Sequence, residues 1–171
     1  MTSATLAVPD PTHALRRSFG AFPTGVTVIT TRLPEGQIVA LTCSSFNTVS
    51  LAPPLISWSV MRTSGRAPAF LQASHFAVSV LGAGHEAIAR AFARSAEEGL
   101  RLCSHYPAPS GSPMIAGSAA VFDCSVHSTH ELGDHHMLVG LVSSHQDFDV
   151  PALTFSRGAF GQLASRADGT G

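Results

Sequence analysis

The sequence predicts a mainly β protein with peripheral helices, its strands closing into an antiparallel barrel. Runs rich in β-branched and aromatic residues recur along the chain, among them Gly25 to Thr31 (GVTVITT) and His75 to Leu81 (HFAVSVL). Such residues suit a pleated, half-buried surface. The connections between these runs are mostly short and polar, so hairpins outnumber strand–helix–strand units. A set of hairpins with a few helices closes most simply as an antiparallel barrel.

In chain order, Met1 to Pro11 holds two prolines and small residues and reads as a loosely held leader. A helix follows with Thr12 as its cap and Leu15, Phe19 and Phe22 spaced three to four residues apart before Pro23. This apolar stripe is expected to pack inward. Gly25 to Thr31 and Gln37 to Cys43 form a hairpin around Pro34, Glu35 and Gly36, and Leu55 to Val60 is a third strand. Arg62 to Gln72 reads as a loop entering a short helix near Ala67, with Pro68 in its first turn. His75 to Leu81 is a fourth strand. Gly84 to Ala93 is helical with Ile88 and Phe92 on one face, and Ala96 to Ser104 holds a further turn or two. Tyr106 to Gly117 is dense in Pro, Gly and Ser and reads as a surface loop. Ser118 to Thr129 and His136 to Gln146 are long strands joined through HELGDH, and Ala152 to Phe155 is a last short strand before RGAF. The expected domain spans residues 12 to 163, followed by a polar tail at 164 to 171.

A chain of 171 residues is one domain's worth and can bury a core without disulfides or metal. Charged residues make up only 12% against 44% hydrophobic, which suits a homo-oligomer with more buried surface than a monomer needs. A formal net charge of −1 argues against nucleic acid as the main partner. Three cysteines without paired spacing fit a reducing cytoplasm, and no apolar run has signal-peptide or membrane-spanning length.

The stretch Thr42 to Leu55 (TCSSFNTVSLAPPL) concentrates hydroxyls between apolar residues and ends at Pro53 and Pro54. It is either a loop whose hydroxyls wrap a flat, heteroatom-rich ligand, or an ordinary strand with polar edges and a proline turn. Arg62, Thr63, Ser64, Gly65 and Arg66 offer cationic forks, hydroxyls and open backbone before a helix, a set that suits a phosphate or equally a solvated surface. His135 stands in a Gly133-Asp134-His135 turn. His127, His130, His135 and His136 are dense enough to raise a metal site, but their spacing is no recognised cage. No GxGxxG follows a strand, so a dinucleotide is not expected in a Rossmann domain.

Several stretches taken together resemble the short-chain flavin reductases, the reductase components of two-component flavin-dependent monooxygenases. These are FPTGVTVITT (Phe22 to Thr31), TCSSFNTVSLAPPL, HFAVSVL, Gly133-Asp134-His135 with Gly140 and Val142 following, and PALTFSRGAF (Pro151 to Phe160). The resemblance implies a Greek-key split β-barrel of the FMN-binding type, a homodimer, a bound flavin, NADH or NADPH as transient co-substrate, and a separate monooxygenase as recipient of reduced flavin. It implies that Thr42, Cys43, Ser44, Ser45, Phe46, Asn47, Thr48 and Val49 bind the isoalloxazine edge and ribityl chain. Cys43 would serve there as packing rather than as a catalytic thiol. Pro23, Thr24, Gly25 and Val26 would border the same cleft, with Ser59 and Phe92 also at the flavin. Ser64 and Arg66 would take the phosphate, although Gly65 and Arg66 depart from a serine-rich pattern. His135 would meet the nicotinamide, with Asp134 orienting its ring. Ser156, Arg157 and Phe160, near Phe155 and Gly158, would either close over the dinucleotide or form a terminal strand anchored by aromatics. FMN is slightly favoured over FAD, and NADH over NADPH, because no arginine cluster stands out for a 2′-phosphate. The alternatives are a non-catalytic flavin carrier of the same fold and an oxidase of the pyridoxamine-phosphate type. The latter lacks support from any added basic phosphate-binding set.

Overall fold

The computed structural model describes residues 11–163. The expected leader, apart from Pro11, and the expected tail at 164–171 lie outside the described residues. Helix α1 (Pro11–Phe19) starts one residue before Thr12, which therefore sits in its first turn rather than at its cap. Strands β1 (Thr24–Gly25), β2 (Thr27–Arg32), β3 (Ile38–Cys43), β4 (Asn47–Leu51) and β5 (Pro54–Met61) follow, then helix α2 (Ala67–Gln72) and strand β6 (His75–Val80). A 3-10 turn leads into α3 (Glu86–Arg94) and α4 (Ala96–Leu102). Strands β7 (His105–Pro107), β8 (Pro113–Ile115), β9 (Ala120–Leu132), β10 (His135–Asp147), β11 (Leu153–Ser156) and β12 (Ala159–Gln162) complete the order.

Seven strands form one antiparallel sheet in the order β3-β2-β6-β9-β10-β5-β4. Its two edge strands, β3 and β4, are consecutive in the chain, separated only by Ser44, Ser45 and Phe46. From Cys43 to Asn47 the chain can reach at most about 14 Å. A flat sheet of this size would hold its edges about 29 Å apart. The sheet must therefore curl until its ends meet at this corner, which holds the candidate residues Thr42 to Val49.

Both faces of the curled sheet are covered, and the alternation along the strands shows how. On β2 and β3, Ile29, Leu41 and Cys43 join a core around Trp58, Phe70, Phe76 and Leu138, while Val28 and Ala40 join another around Leu81, Phe92, Ile115 and Leu153. Trp58 is wedged edge-on between Phe70 and Phe76 at 4.9 and 5.7 Å. Gly140 makes room for this arrangement, since a Cβ there would lie 2.5 Å from the Phe76 ring.

Several expectations are corrected. Of the two readings of the Thr42–Leu55 stretch, the strand with polar edges holds for Asn47 to Leu51, and the Tyr106–Gly117 segment, expected as a loop, contains the β7–β8 ribbon. The RGAF segment turns back as β12. The HELGDH connection is mostly strand, with β9 and β10 meeting across Gly133 and Asp134. The α1 stripe does not pack inward: Leu15, Phe19 and Phe22 are 51%, 68% and 72% exposed. The core is already closed by α3, α4 and the sheet itself, and α1 is tied on at its end, where the Gly20 carbonyl accepts from the Arg157 N–H (2.7 Å) and the Ser156 hydroxyl (3.2 Å).

Candidate active site

The site forms where β3 ends. The Thr27 hydroxyl donates to the Cys43 carbonyl (3.0 Å), and the Thr42 hydroxyl donates to the Ala89 carbonyl of α3 (2.5 Å). The last residues of β3 are thus fastened to the sheet on one side and to a helix on the other. The Ser59 N–H then donates to Ser45 Oγ (2.8 Å), and the Ser45 hydroxyl donates to the Ser59 carbonyl (3.2 Å). Asn47 pairs with Ser57 in the β4–β5 ladder, so Ser45 stands where the next rung would face Ser59. Its side chain replaces a missing backbone rung at the seam between β3 and β5.

Two clefts share the wall made by Thr42, Cys43 and Ser44. The first encloses about 440 Å³ and is bordered by Val26, by Ala89, Arg90, Ala93 and Arg94 of α3, and by Phe155, Gly158 and Phe160. The Phe155 and Phe160 rings lie 5.1 Å apart, and the Arg90 guanidinium stacks 4.8 Å over Phe160 while pairing with Glu86 at 2.8 Å. A flat aromatic ligand meets here an apolar surface with a cationic rim. The second cleft, about 300 Å³, is bordered by Ser45, Ser59, Met61, Ser64, Arg66 and His135 and is polar by comparison. Both volumes suit small molecules.

His135 opens β10, paired with Met61 on one side and Leu132 on the other. Its Nδ1 lies 2.7 Å from Asp134 Oδ1, which leaves Nε2 as the remaining polar ring atom. The Asp134 carboxyl is held below the usual carboxylate range, first by the hydrogen bond with His135 and most weakly by the charge of Arg16.

The expected residues separate into those the fold brings together and those it does not. Val26, Thr42, Cys43, Ser44 and Phe160 line the first cleft; Thr42, Cys43, Ser44, Ser45, Ser59, Ser64, Arg66 and His135 line the second. Ser44 is exposed and makes no hydrogen bond among the described residues. Cys43 is buried in the core with its Sγ 3.0 Å from Ser45 Oγ, as befits packing. Pro23, Thr24 and Gly25 line neither cleft; Thr24 is in β1 opposite Phe155, its hydroxyl buried without a partner among the described residues. Phe46 turns to Phe122, with ring centroids 5.8 Å apart, and Asn47, Thr48 and Val49 lie on the exposed edge strand. Phe92 is fully buried under Gly99, and only its backbone carbonyl reaches the site region, where it accepts from Arg66 Nη1 (3.1 Å). Arg66 also donates to the carbonyls of Ala93 and Arg94, so in this state it caps α3. Ser156 is committed to Gly20, and Arg157 lines a separate cleft beside α1. Among the described residues no three His, Cys, Asp or Glu side chains gather as a metal site. No helix of the described chain is long and apolar enough to cross a membrane.

Sequence reasoning missed Arg90 and Arg94. Their signal was present in the four-residue spacings Glu86–Arg90 and Arg94–Glu98, of which the first pairs charges within α3 and the second joins the end of α3 to the first turn of α4.

Comparison with known proteins gives the family. Residues 19–164 match the family model described as flavin reductase like domain. FMN reductase (NADH) SmoA of Agrobacterium fabrum is 41% identical over 157 residues, covering 91% of this chain and 88% of that protein. The stachydrine N-demethylase reductase subunit Stc3 of Rhizobium meliloti is 40% identical over 151 residues, covering 88% of this chain but only 65% of that protein. Among solved structures, the Streptomyces globisporus NADH:FAD oxidoreductase SgcE6, in complex with NAD and FAD fragments, superposes with a TM-score of 0.87 at 36% identity. It covers 96% of this chain and 100% of that one. A match across nearly the whole described chain, to relatives well above the level at which folds diverge, makes this chain a member of the flavin reductase like domain family.

Proposed function

We propose that the chain is an NADH-dependent flavin reductase that transfers hydride to FMN or FAD and supplies the reduced flavin to a separate monooxygenase. The observation that carries this reading is the pair of clefts sharing the Thr42–Ser44 wall, one apolar and aromatic, the other lined with hydroxyls, an arginine and a histidine. Two planar reactants need to be held face to face with water excluded, and an acid or base is not required. The names of SmoA and SgcE6, both NADH-linked, support the reductant, and the name of Stc3, the reductase subunit of an N-demethylase, supports a separate partner enzyme.

The residues fit a flavin. Ser44 has an unengaged hydroxyl on the shared wall, and Ser64 and Arg66 bring a hydroxyl and a guanidinium to one end of the polar cleft, where a phosphate is met by charge-assisted bonds. When bound, the flavin supplies a ring that accepts hydride and passes electrons on. Ser44, Ser64 and Arg66 hold it; Thr42 and Ser45 keep the wall rigid through their bonds to Ala89 and Ser59. His135, oriented by Asp134, hydrogen-bonds the nicotinamide side. The curled sheet is a Greek-key split barrel whose seam is the β3–β5 corner. Two copies pair through apolar residues left open on each, Leu15 and Phe19 of α1, Phe22 just beyond it, and Leu51 of β4, which is 95% exposed.

Anaerobic mixing of the purified protein with NADH and each flavin tests the function. Bleaching of the flavin absorbance at a turnover rate far above that of the free mixture is expected. Tight flavin binding without bleaching would instead mark a carrier.

A further inference from the structure

We propose that the thioether of Met61 is a modification site, oxidised to the sulfoxide by hydrogen peroxide that forms when reduced flavin meets dioxygen, and that this oxidation slows the enzyme; the inference rests on the reductase reading. Met61 is the last residue of β5 and borders the polar cleft together with His135. The two are partners in the β5–β10 ladder. Beyond them the Arg62 N–H donates to the Asp134 carbonyl (2.9 Å), so Met61 and His135 form a non-hydrogen-bonded pair, the kind whose side chains lie closer together on one face. The Arg62 side chain adds contacts to Glu131 at 2.6 Å and the Gly133 carbonyl at 3.4 Å, tying this end of β5 to the hairpin across from it. The sulfur is therefore held beside the imidazole assigned to the nicotinamide.

Accessibility singles Met61 out among the sulfur-bearing side chains. Of the described methionines, Met114 is 4% exposed, Met137 is half-buried and Met61 is 46% exposed. Of the thiols, Cys124 is buried and Cys103 half-buried, and burial pushes both above the ordinary thiol range, so they stay protonated and react slowly with peroxide. Cys43 lines both clefts but is buried, with its Sγ against Ser45. A thioether needs no ionisation before it is oxidised. On the other flank of His135 the partner is Leu132, which is also exposed and supplies apolar surface without sulfur. Packing at such a strand end thus does not require methionine.

In the step, a sulfur lone pair attacks one peroxide oxygen, the O–O bond breaks, and the second oxygen takes the proton of the first and leaves as water. Sulfur loses two electrons and the peroxide gains them. The peroxide arises where dioxygen takes two electrons from reduced flavin that no oxygenase has collected. The product carries an acceptor oxygen where a soft apolar group stood. Since the His135 Nδ1–H donates to the Asp134 carboxylate, Nε2 offers a lone pair to the nicotinamide amide. A sulfoxide oxygen beside it competes for the same amide N–H. The reductase slows when its product goes unused, and methionine sulfoxide reductase restores it.

The test treats the full chain with millimolar hydrogen peroxide, locates the added oxygen by peptide mass spectrometry and measures flavin reduction by NADH. Oxygen should enter at Met61 ahead of Met114 and Met137. The KM for NADH should rise about fivefold, the worth of one hydrogen bond, while FMN binding and the melting temperature hold. Methionine sulfoxide reductases A and B should bring the KM back, which dithiothreitol alone, an agent for cysteine, should not. Met61→Leu should lose nothing on the same treatment relative to its own untreated sample. Met61→Gln, which carries an acceptor oxygen at similar reach, should show the raised KM without peroxide. Prolonged aerobic turnover with NADH and FMN alone should produce the same sulfoxide, and catalase should prevent it. An oxidised Met61 with unchanged KM, a Met61→Leu protein inactivated as fast as the parent, activity lost with Met61 intact, or no sulfoxide after aerobic turnover would each overturn the proposal while leaving the reductase reading intact. An untreated parent that reduces no flavin with NADH would end the reductase reading and the proposal with it.

Discussion

Ser44 and Ser45 are adjacent, chemically identical and both expected at the flavin, yet replacing each by alanine should give opposite results in the absence of ligand. Ser45 accepts the Ser59 N–H at 2.8 Å and donates to its carbonyl at 3.2 Å, in place of a ladder rung at the β3–β5 seam. Each such bond contributes about 1 kcal/mol net, and a donor left unpaired adds about 1 to 3 kcal/mol where water is absent. The seam is only partly buried, so Ser45→Ala should cost about 2 to 3 kcal/mol in total. For a chain of this size that corresponds to a melting point lowered by about 5 to 10 °C. Ser44 is exposed and bonded to no described residue, so Ser44→Ala should change stability by no more than about 0.5 kcal/mol while weakening flavin binding. Urea unfolding of the flavin-free variants, with flavin titration by fluorescence alongside, measures both quantities. A Ser45→Ala protein as stable as the parent, or a Ser44→Ala protein as damaged as Ser45→Ala, would refute the rung-replacement argument.

Other outcomes follow from the same geometry. His135→Ala should raise the KM for NADH about five- to tenfold, the worth of one hydrogen bond, while flavin binding persists; unchanged kinetics would remove His135 from the site. Arg66→Ala should weaken FMN about tenfold with a smaller effect on riboflavin, which lacks the phosphate. The same change should lower stability by about 1 kcal/mol, because α3 loses its cap. The Cys124 thiol is raised from 9.0 to about 12, by burial first and by Asp123 second. Since the unfolded chain ionises near the lower value, stability from this group is complete below pH 9. It should then fall by about 1.4 kcal/mol per pH unit up to about pH 12, a slope that Cys124→Ala should abolish in alkaline urea titrations. At neutral pH Cys124 should resist alkylation until the protein unfolds.

Much of the fold was legible because strands buried on both faces are written as unbroken runs of β-branched and apolar residues. GVTVITT and HFAVSVL lie near the sheet's centre and were placed to within a residue or two. Strand β4 was not legible because it is an exposed edge: Asn47, Thr48 and Ser50 look like loop chemistry, and only the corner at Ser44–Phe46 forces them into the ladder. The α1 stripe was seen correctly as a stripe, but periodicity reports that a face is apolar and not what covers it. Phe92 shows a related limit. A helical period puts it with Ile88, but nothing in the period says whether that face meets ligand or core, and Gly99 decides for core by admitting its ring. Of the candidate site, the Thr42–Ser45 segment, Ser64, Arg66 and His135 do converge on one cleft. The division of labour among their hydroxyls depends on which backbone groups lie unpaired nearby, which only three-dimensional proximity reveals.

The wall shared by the two clefts limits how the protein can be re-engineered. Thr42, Cys43 and Ser44 present one surface to both compartments, so no substitution there retunes the preference for one planar molecule without disturbing the other. Selectivity can be adjusted separately only at the outer margins, Phe160 and Arg90 on one flank and Ser64 and Arg66 on the other. Directed evolution of this scaffold should accordingly accumulate its changes at those margins and leave the end of β3 untouched.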